Sequence, residues 1–280
     1  MPLLPILLAV AARDLFLPVA GRIHDPLHDV RTTVTLRNSG AADAHATIRF
    51  VPTAGTARQP PLEIVIPPNA TRAVDPFGET PAIGAIRITS DQPIVATGRI
   101  ANGRIANGRI VNGRIVNGRI VSDGSSATFD AMSSADGITG GDAAKLGGFT
   151  FDHAIGATNR LYVVETAGDA LQYTTIILGA DGNVLGQKLH LIHPFEQHSH
   201  DLDADFPGVA VQHASILLRG MNGGGCIVAE AAITARSNGA ITARAMKVTE
   251  RHERGLSNME KLAYAAIALF IAGAALRSRR

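Results

Sequence analysis

The sequence has few of the side chains on which many binding and catalytic proteins depend. It contains no tryptophan and three tyrosines among 280 residues, and charged residues make up only 18% of it. A shortage of aromatic rings disfavours a sugar-binding face. The formal net charge of +2 is too small to indicate a nucleic-acid partner. Because 46% of the residues are hydrophobic, the chain can still form folded cores, built mainly of Val, Ile, Leu and Ala.

The single cysteine, Cys226, excludes an internal disulfide and fits a buried thiol in a strand. The sequence also lacks Gly-x-Ser-x-Gly, His-Glu-x-x-His, a phosphate-binding loop and a dinucleotide fingerprint. The glycine-rich residues 220–225 precede a predicted strand, so they offer no helix N-terminus to a phosphate. The paired carboxylates of a glycoside hydrolase would be invisible to a motif search if they were far apart in sequence, so this class of enzyme stays open. We expect a protein without catalytic activity and without a cofactor.

Residues 1–12 form an apolar run that closes with Ala9-Val10-Ala11. This pattern resembles the hydrophobic region and cleavage site of a signal peptide. No Lys or Arg precedes the run. The alternative is a first strand that continues into residues 16–21. A signal segment would direct the protein out of the cell.

A second apolar run lies near the C-terminus, after a polar spacer at residues 249–261. It begins at Leu262, ends at Leu276 and carries no charge over fifteen residues, and three arginines follow within residues 277–280. A helix of that length spans about 22 Å against about 30 Å of hydrocarbon, and Arg side chains can snorkel to the interface. An amphipathic or buried helix is the alternative, but no polar face is present. We expect a membrane helix whose Arg-rich tail stays inside, which places the remaining chain outside.

Between the two ends, short runs of alternating apolar and polar residues are separated by Pro, Gly and Asn. In the first half they cover residues 31–38, 46–50, 62–66 and 86–88. In the second half they cover residues 149–154, 160–166, 171–178, 188–192, 198–204, 213–219, 226–233 and 240–248. Period two with one apolar face predicts antiparallel strands, and even spacing of short strands predicts an all-β sandwich or barrel.

The order of strands in the first half recurs in the second. Residues 173–194 (YTTIILGADGNVLGQKLHLIHP) correspond to residues 45–68 (HATIRFVPTAGTARQPPLEIVIPP), and both segments end in proline. The correspondence is degenerate, yet strands and turn residues follow in the same order. We expect a duplicated β-sandwich, with one domain at residues 15–97 and the other at residues 147–248.

A family resemblance rests on these strand and turn motifs. The segments FLPVAGR, TTVTLRNSG, ATIRFVPTAG, IPPNATRAVD and AIRITSDQPIVATGR resemble immunoglobulin-like sandwich repeats of exported bacterial surface proteins. The likeness covers residues 15–100 and, more weakly, 147–248. It implies two antiparallel immunoglobulin-like domains with a nonenzymatic, structural or adhesive role. The C-terminal run is similar to the sorting signals of such proteins, although the Pro-Glu-Pro motif of the best-known class is missing.

Residues 98–121 repeat the pentapeptide GRI(A/V)N at a strict period of five. Gly and Asn in every unit disfavour a helix. Asn-Gly is a strong hairpin signal, but it leaves only three residues for each strand, which is short for a stable ladder. We expect an extension of the last strand of the first domain, followed by an irregular linker over residues 98–146. The alternative role of the repeat is binding of anionic surface polymers by its arginines.

The clustered histidines and aspartates of segment 190–213 are the candidate site. A strand through this segment puts His198 and His200 on one face and the aspartates on the other. A His-x-His pair chelates a metal when a neighbouring strand adds a third ligand, and aspartates suit Ca²⁺. The alternative is a solvated strand and turn. The candidate metal ligands are His198, His200, His213, Asp201 and Asp203.

These features predict a non-catalytic, exported protein of the cell envelope or cell surface, structural or adhesive, held to the membrane by residues 262–280. Its expected partners are the membrane and a surface polymer or protein, with no nucleic acid. The alternative function is a ligand-binding module for metal or carbohydrate that uses residues 190–213.

Overall fold

The computed structural model describes residues 13–24, 28–53, 59–78, 80–106, 109–111, 114–116, 119–121, 125–151, 157–235 and 241–251. Most of these residues lie in antiparallel strands, so the prediction of an all-β fold is confirmed. A short α-helix and a 3₁₀ turn, Ser134–Asp136, complete the described elements. The predicted signal segment and the predicted C-terminal helix lie outside the described residues.

Twelve strands belong to the first half and the repeat. They are β1 Arg13–His24, β2 His28–Asn38, β3 Ala44–Pro52, β4 Leu62–Ile66, β5 Thr71–Val74, β6 Ala82–Ser90, β7 Ile94–Ala106, β8 Arg109–Val111, β9 Arg114–Val116, β10 Arg119–Val121, β11 Ser125–Asp130 and β12 Met132–Ser133. The second half contains β13 Ala143–Phe151, β14 Ala157–Glu165, β15 Leu171–Leu178, β16 Val184–Ile192, β17 Gln197–Asp201, α1 Leu202–Asp205, β18 Val211–Gly223, β19 Ile227–Ala235, β20 Ile241–Ala245 and β21 Lys247–Glu250.

The first half is a continuous sheet in the order β11-β7-β2-β1-β6-β3-β4. β2 pairs with β7 along its whole length, whereas β1 pairs with β2 over only three residues, and β5 pairs with β2 further along. The sheet therefore folds back on itself. Buried residues of β1 and β6, such as Leu17 and Ile88, share one core with Leu36 of β2 and Phe129 of β11. This arrangement is sandwich-like.

The second half consists of two sheets with a core between them. Their strand orders are β16-β15-β18-β13-β21 and β17-β14-β19-β20. Alternate residues of β15, namely Leu171, Tyr173 and Ile177, are fully buried and belong to one core with Leu161 and Val163 of β14. The period-two pattern of the sequence thus identifies the inner face of each strand.

The two halves share buried side chains. Phe16 and Val51 of the first half belong to the core of the second half, and Tyr162 of β14 packs against the core of the first half. The backbones of the two halves also meet directly, in a parallel bridge between Thr53 and Gln197. The described residues from Arg13 to Glu250 therefore form one compact body.

Polar contacts reinforce this junction around Gln197, which is 1% exposed. Its Nε2 donates a hydrogen bond to the carbonyl oxygen of Pro18 at 3.2 Å, and its Oε1 accepts one from the hydroxyl of Thr53 at 2.6 Å. Beside it, the guanidinium of Arg87 lies 4.4 Å from the ring centroid of Phe195. A buried amide with both ends bonded fixes the geometry of the junction because an unmade bond there would be costly.

The pentapeptide repeat forms short paired strands where the sequence predicted an irregular linker. β7 extends to Ala106, within the repeat, as expected for the last strand of the first half. β8 then pairs with β7, with Ile110 opposite Ile105, and β10 pairs with β9, with Ile120 opposite Ile115. Asn-Gly separates the partners of both pairs, which agrees with its preference for two-residue hairpins.

A buried carboxylate organises the loops at one end of the second half. Glu165, at the end of β14, is fully buried. Its Oε1 accepts hydrogen bonds from the backbone N–H groups of Ala167 and Cys226, and its Oε2 accepts from those of Gly168 and Phe195. Four backbone donors from three segments are thereby satisfied by one side chain.

The Glu165→Gln variant is expected to lose about 2–4 kcal/mol of unfolding free energy, because either amide orientation sets its NH₂ group against two backbone donors. Urea unfolding followed by circular dichroism measures this loss. The matched control is Glu63→Gln on β4, where the side chain is exposed and no comparable change is expected. Equal stability of the two variants would contradict this role of Glu165.

Candidate functional site

Three histidines and a tyrosine meet where the edge strands β16 and β17 of the two second-half sheets approach each other. His198 and His200 lie on β17, His190 lies on β16, and Tyr173 lies on the neighbouring β15. The tyrosine is fully buried, whereas the histidines are partly exposed. The four side chains are called the His–Tyr cluster below.

The phenol of Tyr173 is the centre of the cluster. Its oxygen lies 3.0 Å from Nδ1 of His198 and 2.7 Å from Nε2 of His200. A hydroxyl can donate one hydrogen bond and accept another, so the phenol links the two imidazoles. The two ring nitrogens therefore converge on one oxygen atom.

A carboxylate lies beside the second nitrogen of each of these imidazoles. Oε2 of Glu196 is 3.4 Å from Nε2 of His198, and Oδ2 of Asp205 is 3.5 Å from Nδ1 of His200. Asp205 also forms an ion pair with Lys188 of β16. A polar chain thus runs from one carboxylate through imidazole, phenol and imidazole to the other carboxylate.

His190 covers the cluster. It lies directly opposite Tyr173 in the pairing of β15 with β16. Its ring centroid is 4.9 Å from that of Tyr173, in a stacked arrangement, and 4.3 Å from that of His200. The imidazole of His190 therefore packs on both rings.

Burial makes these groups neutral. Desolvation, followed by the nearby His198, lowers the pKa of His190 to about 4. Desolvation and the other two imidazoles lower the pKa of His200 to about 3, and desolvation also lowers the pKa of His198. Burial and the carboxylates of Glu196 and Asp205 raise the pKa of Tyr173 well above its usual value. At neutral pH the cluster presents uncharged imidazole nitrogens and a protonated phenol.

Of the candidate ligands, the structure brings together His198 and His200. The carboxylates of Asp201 and Asp203 instead accept hydrogen bonds from other residues. The strand ends at Asp201, whose carboxylate accepts from the N–H of Ala204 and caps α1, so the expectation of a strand through residue 204 is wrong. The Asp203 carboxylate accepts hydrogen bonds from the backbone and side-chain nitrogens of Asn159.

His213 lies on β18 in the other sheet of the second half, where it is exposed and has a left-handed backbone with φ of 59°. Within the described ranges, no three His, Cys, Asp or Glu side chains are placed to hold a metal ion.

The sequence did not identify Tyr173 as a member of the site. Two signals in the sequence could have identified it. The alternating apolar pattern of β15 puts Tyr173 on the inner face, and pairing of β15 with β16 in a hairpin puts Tyr173 opposite His190.

A second buried ionisable group lies between the halves. Glu230 on β19 is 1% exposed, stands opposite Tyr162, and its Oε2 has no hydrogen-bond partner. Desolvation, with a smaller contribution from the Asp130 carboxylate, raises the pKa of Glu230 to about 8. The carboxyl group is therefore mostly protonated at neutral pH.

Comparison with known proteins adds little to this geometry. No protein-family description matches the sequence, and no curated protein matches it. Among solved structures, the lectin of Pleurotus ostreatus in its apo form is similar over 87% of this chain and 79% of its own, with 10% identity and a TM-score of 0.24. A TM-score that low supports no conclusion about fold or function.

Within the part of the chain that the structure describes, no helix has the length and hydrophobicity needed to cross a membrane. The predicted membrane helix, residues 262–276, lies outside this part.

Proposed function

We propose that this protein is a non-catalytic, exported structural or adhesive protein of the cell surface, held to the membrane by residues 262–280. One observation carries the proposal: three of the fully buried polar side chains serve the fold itself. Glu165 binds four backbone amides, Gln197 joins the two halves, and Asn159 donates to the carboxylate of Asp203 and to the carbonyl oxygen of Thr150. Such internal bonding is typical of a rigid body rather than of an active site, where reactive groups face a pocket.

The finer architecture belongs to the same proposal. We infer that each half is an immunoglobulin-like β-sandwich of the kind found in exported bacterial surface proteins. The antiparallel pairing and the strand motifs of the first half, from FLPVAGR to AIRITSDQPIVATGR, support this inference. The shared core supports a single stiff unit, which suits a structural or adhesive role at the cell surface. Loops at the ends of the sandwiches are where a binding surface for a polymer or protein would lie.

Membrane attachment is tested by removing the C-terminal run. We expect deletion of residues 262–280 to move the protein from the membrane fraction to the soluble fraction, because the apolar run is the anchor. Fractionation of expressing cells measures this shift. Within the full chain, Phe270→Asp places a charge in the run and is expected to weaken attachment, whereas the matched Phe270→Leu keeps it. Unchanged membrane association after the deletion would refute anchoring.

A second candidate function is a ligand-binding module for metal or carbohydrate in segment 190–213. The convergence of two imidazole nitrogens and a phenol oxygen in the His–Tyr cluster favours metal over carbohydrate, because the sequence has few aromatic rings for stacking on sugars.

A further inference from the structure

We propose that His198, His200 and Tyr173 form a binding site for a divalent transition-metal ion, with Zn²⁺ as the ion of choice. The inference deepens the second candidate function and rests on it, while it is independent of membrane anchoring. It replaces three of the ligands expected from the sequence, His213 and the two aspartates, by the phenol of Tyr173.

Three donor atoms of the His–Tyr cluster lie close together. Nδ1 of His198 and Nε2 of His200 lie 3.0 Å and 2.7 Å from the oxygen of Tyr173. Around a tetrahedral zinc ion with bonds of about 2.0 Å, neighbouring donors are about 3.3 Å apart. The two nitrogen-to-oxygen distances are therefore shorter than this separation by about 0.3 Å and about 0.6 Å.

A carboxylate lies beside the outer ring nitrogen of each imidazole. Histidines that bind metals usually donate the other ring N–H to a carboxylate, which fixes the tautomer and the ring orientation. Glu196 stands at this position for His198, at 3.4 Å, and Asp205 stands at it for His200, at 3.5 Å. Both imidazoles thus have the outer partner that a metal ligand has, and both direct the remaining nitrogen at the same point.

The charges and the exposure of the surrounding side chains also suit a bound cation. A dication bound by one phenolate is left with one positive charge, and the carboxylates of Glu196 and Asp205 lie close enough to balance it, although Asp205 is shared with Lys188. The side chains of His198 and His200 are 20% and 12% exposed. Both imidazoles therefore reach solvent, whereas the phenol of Tyr173 is buried beneath them.

Two imidazole nitrogens and one phenol oxygen favour transition-metal ions over Ca²⁺ and Mg²⁺. Imidazole nitrogen suits Zn²⁺, Cu²⁺ and Ni²⁺, whereas Ca²⁺ and Mg²⁺ require mostly oxygen ligands. On binding, the phenol proton leaves to solvent as the metal–oxygen bond forms, so that one proton is released for each ion bound through Tyr173. His190 packs over the rings and stays outside the set of donors.

Zinc titration of the full chain, followed by isothermal calorimetry and by the melting temperature, tests the site. We expect one ion per chain and a rise in melting temperature with Zn²⁺, and none with Ca²⁺. His200→Gln and Tyr173→Phe are each expected to weaken zinc binding at least about tenfold, and Glu196→Gln about tenfold through loss of orientation. His213→Gln is the matched control and should bind zinc like the parent.

Two measurements keep the test decisive if a variant loses stability. His200→Cys retains a metal ligand and should bind zinc more tightly than His200→Gln. With Cu²⁺ as a probe, a phenolate-to-copper absorption band should appear in the parent and in His213→Gln, and it should be missing in Tyr173→Phe. No zinc binding by the folded parent, or equal binding by the parent and the folded His200→Gln variant, would overturn the proposal. Either result would leave the fractionation experiment, and the anchoring that it tests, unaffected.

Discussion

The Glu230→Gln variant is expected to be more stable than the parent protein by about 4 kcal/mol at about pH 8. Burial between the two halves raises the pKa of Glu230 from 4.5 to about 8, and its Oε2 has no hydrogen-bond partner. The unfolded chain ionises this carboxyl group freely, whereas the folded chain must keep it protonated or bury its charge. An uncharged amide of the same shape removes that cost.

The pH dependence follows from the raised pKa. Below about pH 4.5 both states are protonated, so that Glu230 causes no difference there. From 4.5 to about 8 the folded state holds a proton that the unfolded state has lost, and the stability contributed by the group falls as pH rises. The advantage of the glutamine variant should therefore shrink to about 1 kcal/mol near pH 5.

Urea unfolding of the parent and of Glu230→Gln at both pH values measures the difference, in which contributions of all other groups cancel. Glu63→Gln, which alters an exposed carboxylate, is the matched control and should change little at either pH. A glutamine variant with no advantage at about pH 8 would show that the carboxyl group is not buried between the halves.

The Phe16→Ala variant is expected to lose about 3–5 kcal/mol of unfolding free energy, the usual cost of truncating a buried phenylalanine. Phe16 is fully buried and, although it lies on β1 of the first half, it belongs to the core of the second half. The loss should therefore destabilise both halves. Hydrogen exchange measured separately on β6 and on β15 should accelerate in both strands.

Val95→Ala provides the comparison for this substitution, because Val95 is 58% exposed on β7 of the same half. It is expected to change stability by less than about 0.5 kcal/mol. If Phe16→Ala accelerated exchange in β6 and left β15 unchanged, the phenylalanine would belong to an independent first domain.

Alternation in the sequence predicted most strands because half-buried strands carry apolar residues at every second position. The predicted bounds 62–66 and 171–178 agree with those of β4 and β15. β5 escaped prediction because its four residues are exposed or half-buried and show no apolar alternation. The turn α1 was missed because its start depends on the side-chain cap of Asp201, which competes with continuation of the strand.

The site was only partly predictable for a similar reason. Period two places His198 and His200 on one face of β17, and the structure joins both to Tyr173. β16 and β17 face each other because they are the edge strands of two packed sheets. The order of strands in those sheets cannot be deduced from the spacing of residues in the sequence. Topology and register also separate His213 from the cluster, because Gly220 is the residue of β18 opposite Tyr173. Likewise, Glu165 and Glu230 interrupt apolar strands in the sequence, but only the packing shows that four amides bind the first and that the second has an unpartnered oxygen.

Calorimetric unfolding of the full chain tests most directly whether the two halves form the single rigid body on which the structural role depends. The shared core of Phe16, Val51 and Tyr162 and the buried amide of Gln197 predict one transition, with equal calorimetric and van't Hoff enthalpies. Two separate transitions, one for each half, would contradict the account.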